Sequence, residues 1–380
     1  MKAPLRIAVG AVLLAIALAS TRARRPPRAA PAASCPRVTG QEATGRSAPV
    51  AVLAGSMFPW AAREDRVAVG RLGDVDGEYR VRIDASGAST ARIDRVELLV
   101  LDHEPGVDPV AGEDGEIVAI ARAAEPSVLP LDRDVLEGGM REAWTVTTDA
   151  VEARAAIVLT ASMTPFAEDA FARYLARMGQ GMGPFMRWVT GEDCSAACRR
   201  EVMDDETVRL GIPLAVTATV GGEAARTWSV RAIGPGAGRR VALPLDLPTN
   251  GARVKIRLEG TRRFWRIDDV ALARRAEATL DPVPMSPSAA ALTSPAGPPV
   301  EVTRRVRSGD RDRVAFASPS FLDVRFRASP VVQGRARAAF VAVTGHYDAP
   351  IGGGPWIDAC AVLSHRAGWA SLPRFAAGLP

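Results

Sequence analysis

Residues 251–273, GARVKIRLEGTRRFWRIDDVALA, contain two strand patterns in succession, joined by a short turn. In the first, apolar residues alternate with charged ones, which is the period of a strand with one buried face. In the second, the apolar face changes parity between Trp265 and Val270, across Asp268 and Asp269. A β-bulge at these aspartates would restore the register, because one extra residue shifts every later side chain to the other face.

The same pattern occurs earlier, at 76–100, where an alternating strand and a small-residue turn precede a second strand. The motif Ile-Asp-x-Val-x-Leu runs from Ile93 to Leu98 and recurs from Ile267 to Leu272, where the pair Asp268 and Asp269 lies in its middle. We interpret these stretches as two related β-units. The predicted fold class is mainly β, with two antiparallel β-sandwich units of jelly-roll type and a short helical insertion.

Composition and periodicity divide the rest of the chain. Stretches rich in Pro, Ala and Ser without periodicity predict linkers, and apolar residues recurring at three and four predict the helical insertion. The predicted segments are a signal peptide (1–20), a disordered linker (21–48), a first sandwich unit (49–139), a second unit (140–276) containing the helical insertion (163–210), a second linker (277–300), strands that pack on one of the units (301–348) and an irregular tail (349–380).

The N-terminus has the outline of a secretory signal peptide. Lys2 and Arg6 precede an apolar run from Ile7 to Ala19, which is short for a membrane span. We therefore expect export to the periplasm or the medium. The alternative is an uncleaved membrane anchor, because arginines follow the run from Arg22 onward and positive charge there resists translocation. Membrane contact is expected only through this segment.

Four cysteines in an exported chain allow three disulfide pairings. The favoured pairing joins Cys194 to Cys198, which are four residues apart, and Cys35 to Cys360, which lie in the two tails. The alternative leaves the two tail cysteines free.

The formal charge of +5 does not predict a nucleic-acid partner. Lysine occurs only at Lys2 and Lys255, so nearly all positive charge is arginine. The most basic run, 304–313, carries acids and lacks the aromatic residues that stack on bases. A solvated basic face is the better interpretation, and we expect no nucleic-acid binding.

The residues Phe264–Leu272, FWRIDDVAL, resemble the last strand of galactose-binding-like jelly rolls, the architecture of many carbohydrate-binding modules. The resemblance covers Glu142–Arg274 and, less closely, Val67–Asp102. The stretches Leu99–His103 and Val241–Leu247 are similar to exported bacterial proteins of uncharacterised function. This kinship implies a fold and no particular reaction.

Two kinds of ligand site follow from these patterns. Jelly-roll modules of the type resembled often hold a structural calcium, which here would use Asp268 or Asp269 at the bulge; salt bridges to arginines are the alternative. Trp228 and Trp265 lie on predicted strands, where an exposed pair would stack on a sugar ring and a buried pair would belong to the core. No other cofactor is expected.

Catalytic motifs are missing from the sequence. The three histidines, among them His103 and His346, lie in no metal-protease spacing and beside no nucleophile elbow, and His103 is interpreted as a solvated residue at a strand end. We therefore predict no catalytic residue and no enzyme. The predicted function is a non-catalytic exported binding or structural module of the envelope, whose partner is a glycan or an envelope protein. The alternatives are a carbohydrate-binding protein that uses the tryptophan-bearing sheet, and an uncharacterised hydrolase.

Overall fold

The computed structural model shows a protein built mainly of antiparallel strands, which confirms the predicted fold class. It describes residues 37–41, 47–52, 63–69, 72–84, 90–122, 129–136, 139–149, 152–176, 211–230, 238–309, 312–348 and 372–379. The predicted signal peptide and the cysteines lie outside the described residues, so export and both disulfides stay predictions. None of the described helices is long and apolar enough to cross a membrane.

The strands have the following bounds in chain order: β1 Arg37–Gln41, β2 Ser47–Val52, β3 Arg63–Ala68, β4 Glu78–Asp84, β5 Thr90–His103, β6 Val107–Ala111, β7 Ile117–Ala121, β8 Asp132–Leu136, β9 Arg141–Asp149, β10 Arg154–Met163, β11 Leu214–Val220, β12 Glu223–Val230, β13 Arg239–Asp246, β14 Arg253–Thr261, β15 Trp265–Arg274, β16 Val283–Met285, β17 Ala289–Ser294, β18 Gly297–Glu301, β19 Val314–Ala317, β20 Phe321–Arg327 and β21 Ala336–Asp348. The described helices are α1 Pro165–Ala176, α2 Thr303–Ser308 and α3 Leu372–Ala377.

Sandwich A is formed by the described residues between 37 and 103 and between 283 and 348. Its sheet S1 has the strand order β18-β17-β20-β4-β1-β2, and its sheet S2 has the order β16-β5-β21-β3, with β19 also paired to β5. Alternating apolar residues of both sheets, such as Ile83, Leu98 and Val324, meet in one core. The C-terminal strands β19–β21 therefore belong to the same sandwich as the first strands of the chain.

Sandwich B is formed by the described residues between 129 and 275, which lie in sequence between the two parts of sandwich A. Sheet S3 has the order β13-β10-β15, and sheet S4 has the order β12-β11-β14-β9-β8. Helix α1 packs on their shared core through Phe171 and Tyr174. It lies inside the predicted helical insertion and is capped by Thr164, whose Oγ1 accepts a hydrogen bond of 3.2 Å from the Ala167 N–H. Residues 177–210 of the predicted insertion lie outside the described residues.

The β6–β7 hairpin lies between the two sandwiches and contacts both. Its apolar residues pack on one side against Leu99 and Phe340 of S2. On the other side they pack against Ala156 and Val158 of β10. Strand β10 is therefore buried on both faces, and the layers follow the order S1, S2, hairpin, S3, S4. The outer faces of S1 and S4 lie at the two ends of this stack.

A β-bulge in β15 confirms the register change that the sequence predicts. The pairing of β15 with β10 skips Asp268, which lies between the paired residues Ile267 and Asp269. Because of the extra residue, Trp265 and Val270 point into the same core although their sequence parity differs.

Strand β5 carries the same bulge in sandwich A. Its pairing with β21 skips Asp94, which lies between the paired residues Ile93 and Arg95. The Ile-Asp-x-Val motif therefore corresponds to a β-bulge that occurs once in each sandwich. In both bulges the residue without a partner in the pairing is the aspartate after the isoleucine.

The structure corrects the prediction of a linker at 277–300. These residues form β16, β17 and most of β18. Ala290 is buried and Leu292 packs against the core of sandwich A, so small and proline-rich residues serve here as strand residues. Pro298 and Pro299 lie on β18, an edge strand, where proline is tolerated because one side of the strand has no neighbour.

Two other segments also differ from their predicted irregularity. The predicted linker 21–48 contains β1 and the start of β2, which pair with each other. The predicted tail 349–380 contains α3, whose residues Leu372 and Ala376 are buried in the core of sandwich B. The spacing of Leu372, Phe375, Ala376 and Leu379 is helical, so the sequence did hold a signal for this helix.

Candidate functional site

The structure places both candidate tryptophans in the core of sandwich B. Trp265 is 3% exposed, and its Nε1 donates a hydrogen bond of 3.1 Å to the carbonyl oxygen of Ile212. Trp228 is 9% exposed and lies opposite Val216, which is fully buried. Their strand positions turn both rings toward the facing sheet. The prediction of an exposed aromatic platform at these residues is therefore corrected to a core role.

The two aspartates at the β15 bulge do not form a metal site with other described residues. The Asp268 carboxylate pairs with Arg266, at 2.9 Å from Nε to Oδ1, and lies against Gly238, where a Cβ atom would come within 2.5 Å of Oδ2. No group of three or more His, Cys, Asp or Glu side chains that could hold a metal occurs in the described part of the chain. An arginine salt bridge, the alternative to calcium, is what the structure shows at Asp268.

His103 was expected to be solvated, and this expectation is wrong. The residue is 4% exposed at the end of β5, and its Nδ1 lies 2.9 Å from the carbonyl oxygen of Glu104. Burial with a backbone partner indicates a structural role. The side chain of His346 lies outside the described part.

The best-connected polar cluster surrounds Arg337 and is also structural. The guanidinium group contacts both oxygens of Asp102, at 2.7 and 2.8 Å, and the hydroxyl of Tyr79 at 2.6 Å. Asp102 in turn accepts a hydrogen bond from the Val332 N–H at 3.1 Å. These hydrogen bonds, chiefly those from Arg337, lower the pKa of Asp102. The cluster ties the β20–β21 loop to β5 and leaves little capacity for a ligand.

The outer face of S1 differs from the Arg337 cluster, because its polar side chains are incompletely paired. Strand alternation turns every second residue of β4 and β20 away from the core. In the pairing of these strands, Arg80 lies directly opposite Arg325, and Arg82 lies directly opposite Asp323. We use the name S1 outer face for the following residues: Glu78, Arg80, Arg82 and Asp84 of β4, Phe321, Asp323, Arg325 and Arg327 of β20, and Ala289, Ala291 and Thr293 of β17.

Asp323 is the most unusual group on the S1 outer face. Its side chain is half-buried, and desolvation raises its pKa, against the opposing effect of Arg82 and Arg325. Within the described part of the chain, its carboxylate makes no hydrogen bond or ion pair. Arg82 is engaged elsewhere, since its guanidinium group stacks on the Phe321 ring at 3.4 Å and its Nε contacts Asp84 at 2.9 Å.

Arg80 and Arg325 form a like-charge pair in adjacent strands. Directly opposed side chains have Cβ atoms about 4.5–5.5 Å apart, and like charges in that position are destabilising. Each has only a distant acidic partner: Arg80 lies 3.6 Å from the exposed Asp76, and Arg325 lies 3.6 Å from Glu78. The buried Nε of Arg80 has no hydrogen-bond partner. Both guanidinium groups therefore keep unused donors.

Small side chains of β17 lie beside this charged row, and we name this strip of the S1 outer face the trough. Ala289, Ala291 and Thr293 of β17 lie opposite Arg325, Asp323 and Phe321 respectively. The three small residues span roughly 13 Å at the rise of a β-strand. The longer side chains of β20 lie on one side of this strip, and β18, with Glu301 opposite Ala291, lies on the other.

The outer face of S4 offers a contrast at the other end of the stack. There Glu259 receives Arg141 at 2.9 Å and Arg257 at 3.2 Å. The hydroxyl groups of Thr217 and Thr227 lie 3.3 Å apart and pair with each other. Because these groups are satisfied by one another, the S1 outer face is the better candidate for a binding surface.

Sequence reasoning missed the S1 outer face although part of its signal was present. The strands EYRVRID, Glu78–Asp84, and FLDVRFR, Phe321–Arg327, both alternate apolar and charged residues. The sequence does not show that these two distant strands are neighbours, so the opposition of Arg80 and Arg325 becomes visible only in the fold.

Comparison with known proteins adds little to this geometry. No protein-family model and no curated protein matches the chain. Among solved structures, the chain is similar to the uncharacterized protein lmo2446 from Listeria monocytogenes EGD-e, solved in complex with α-D-glucose, β-D-glucose, magnesium and calcium, at 8% identity and a TM-score of 0.19. The match covers 63% of this chain and 22% of that protein, so this chain spans about a fifth of its length.

The chain is also similar to the VP2 subviral particle of infectious bursal disease virus, at 9% identity and a TM-score of 0.17, over 84% of this chain and 77% of that one. Both scores are too low to assign a shared fold. The site therefore rests on the residues of this chain alone.

Proposed function

We propose that this chain is a non-catalytic exported module that binds a glycan through the S1 outer face. The observation that carries the proposal is the half-buried Asp323 carboxylate, which has no partner in the described part of the chain and lies beside arginines with unused donors. A sugar hydroxyl both donates and accepts hydrogen bonds, so one hydroxyl can serve Asp323 and a neighbouring guanidinium group together. The trough over β17 provides room for the sugar chain.

Several broader features belong to the same proposal. Export is supported by the signal-peptide pattern of residues 1–20. A galactose-binding-like jelly roll for sandwich B is supported by its antiparallel two-sheet arrangement and by the bulged closing strand β15. A binding role is favoured over a hydrolase, because Asp84, a neighbouring carboxylate on the S1 outer face, is held by Arg82, and the residues of that face include no histidine to act as a general base.

A glycan array with the full-length protein tests this proposal. The wild-type protein and Asp323→Asn are compared with Asp134→Asn as a matched control, because Asp134 is an exposed carboxylate on β8 at the far end of the stack. We expect wild type and the control to bind the same glycan, and Asp323→Asn to lose affinity by about 10- to 100-fold, the worth of one hydrogen bond to a charged group. Absence of glycan binding by the wild type, or equal binding by Asp323→Asn, would overturn the proposal.

A further inference from the structure

The like-charge pair Arg80–Arg325 indicates whether the glycan is charged or neutral. Opposing two arginines across adjacent strands is unfavourable, and their acidic partners, Asp76 and Glu78, lie at 3.6 Å, beyond ordinary charge-assisted hydrogen bonds. An anion between the two guanidinium groups would remove the repulsion and use their donors. A neutral sugar would leave the repulsion in place.

We infer that the ligand is an acidic glycan, in which a hexuronate carboxylate binds between Arg80 and Arg325 while a hydroxyl of the same chain donates to Asp323. This inference rests on the proposed function and names the class of glycan. A carboxylate has two oxygens, so each guanidinium fork can donate to one of them.

The charge distribution of the S1 outer face fits such a ligand. Arg80 lies opposite Arg325, and the exposed Arg327, the next outward residue of β20, lies opposite Glu78. Arg327 makes no ion pair within the described part of the chain. Asp323 lies next to the arginine pair, and its negative charge would repel a second carboxylate of the ligand at that position. An alternation of carboxylates with hydroxyl groups, as in a polyuronate, matches an arginine pair that lies beside a hydrogen-bond acceptor.

Isothermal titration calorimetry with polygalacturonate and with its neutral methyl ester tests the inference. Arg80→Gln and Arg325→Gln remove one charge each, and Arg253→Gln is the matched control, because Arg253 is an exposed arginine of β14 on the far sheet. We expect wild type to bind polygalacturonate at least 10-fold more tightly than the ester. Each variant of the pair should lose about 10-fold for polygalacturonate and nothing for the ester, and Arg253→Gln should bind as wild type does.

Thermal unfolding of the same variants separates loss of the site from loss of the fold. Arg80→Gln removes the repulsion, so its Tm without glycan should equal or exceed that of wild type, while the Tm increase caused by polygalacturonate should disappear. A lower Tm without glycan would contradict the like-charge argument and overturn the inference.

The remaining outcomes are also distinguishable. Equal binding of the ester and the acid, with Asp323→Asn still defective, would overturn the inference and leave the proposed function standing. Failure of every glycan would overturn both. Dextran sulfate and inorganic phosphate serve as further probes: if either competes with polygalacturonate in Asp323→Asn as well as in wild type, the pair is a general anion site and the inference fails.

Discussion

Replacing Arg337 with Ala tests how much the loop between β20 and β21 depends on one partly buried ion pair. The side chains of Arg337 and Asp102 are each 14% exposed, and the pair is bidentate. Removing the arginine leaves Asp102 without its main partner and also removes a donor from the Tyr79 hydroxyl. Both side chains are partly buried, so leaving the Asp102 carboxylate without its bidentate partner costs about 1–3 kcal/mol.

The matched control for this change is Arg327→Ala, on the last residue of β20. Arg327 is exposed, and a surface substitution without partners changes stability by about 0.5 kcal/mol or less. Urea unfolding monitored by circular dichroism gives the free-energy difference, and hydrogen exchange at Val332 reports the loop directly, because its N–H is held by Asp102. A cost below about 1 kcal/mol for Arg337→Ala, or unchanged exchange at Val332, would refute the assigned role.

The pH dependence of stability gives an independent test of the same pair. The pKa of Asp102 is lowered in the folded protein, chiefly by hydrogen bonds from Arg337, so its contribution to stability is present above the unfolded value, about 3.9, and is lost as the pH falls through the lower folded value. Arg337→Ala should therefore flatten the acid limb of the stability curve below about pH 4. An acid limb identical to that of wild type would contradict the assignment.

Two further predictions concern Glu142 and Asp323. Glu142 is fully buried, pairs with Arg133, and accepts a hydrogen bond of 2.8 Å from the backbone N–H of Arg263, whose φ is 67°. Glu142→Ala should destabilise sandwich B by about 2 kcal/mol in urea unfolding, and a loss under 0.5 kcal/mol would contradict this role. Because desolvation raises the folded pKa of Asp323, stability should fall as the pH rises from the unfolded value, about 3.9, through the folded value. Asp323→Asn should abolish that fall in Tm-against-pH measurements, and persistence of the fall would assign it to another group.

The sequence predicts local β-structure well where apolar residues alternate. The parity change between Trp265 and Val270 predicts the bulge that the register shows at Asp268. Alternation alone cannot tell which face of a strand meets the facing sheet, and for this reason Trp228 was compatible with both a platform and a core position. In the fold, Trp228 lies opposite the buried Val216, so both side chains are on the core face of S4.

The long-range arrangement could not be predicted because it depends on contacts between distant segments. Sandwich A combines the first strands of the chain with β16–β21, and no local pattern shows that β20 pairs with β4. Composition was misleading at 277–300, where small residues and prolines form strands. The candidate site could not be predicted for the same reason, because it forms only where the pairing of β4 with β20 brings Arg80 close to Asp323.

Carbodiimide labelling of carboxyl groups, read by mass spectrometry, tests most directly whether the S1 outer face binds the glycan. Asp323 is half-buried with a raised pKa, and a ligand on the trough would cover it. We predict that saturating glycan reduces labelling of Asp323 and leaves labelling of the exposed Asp134 unchanged. Unchanged labelling of Asp323 with glycan bound would place the ligand elsewhere on the protein and contradict the account.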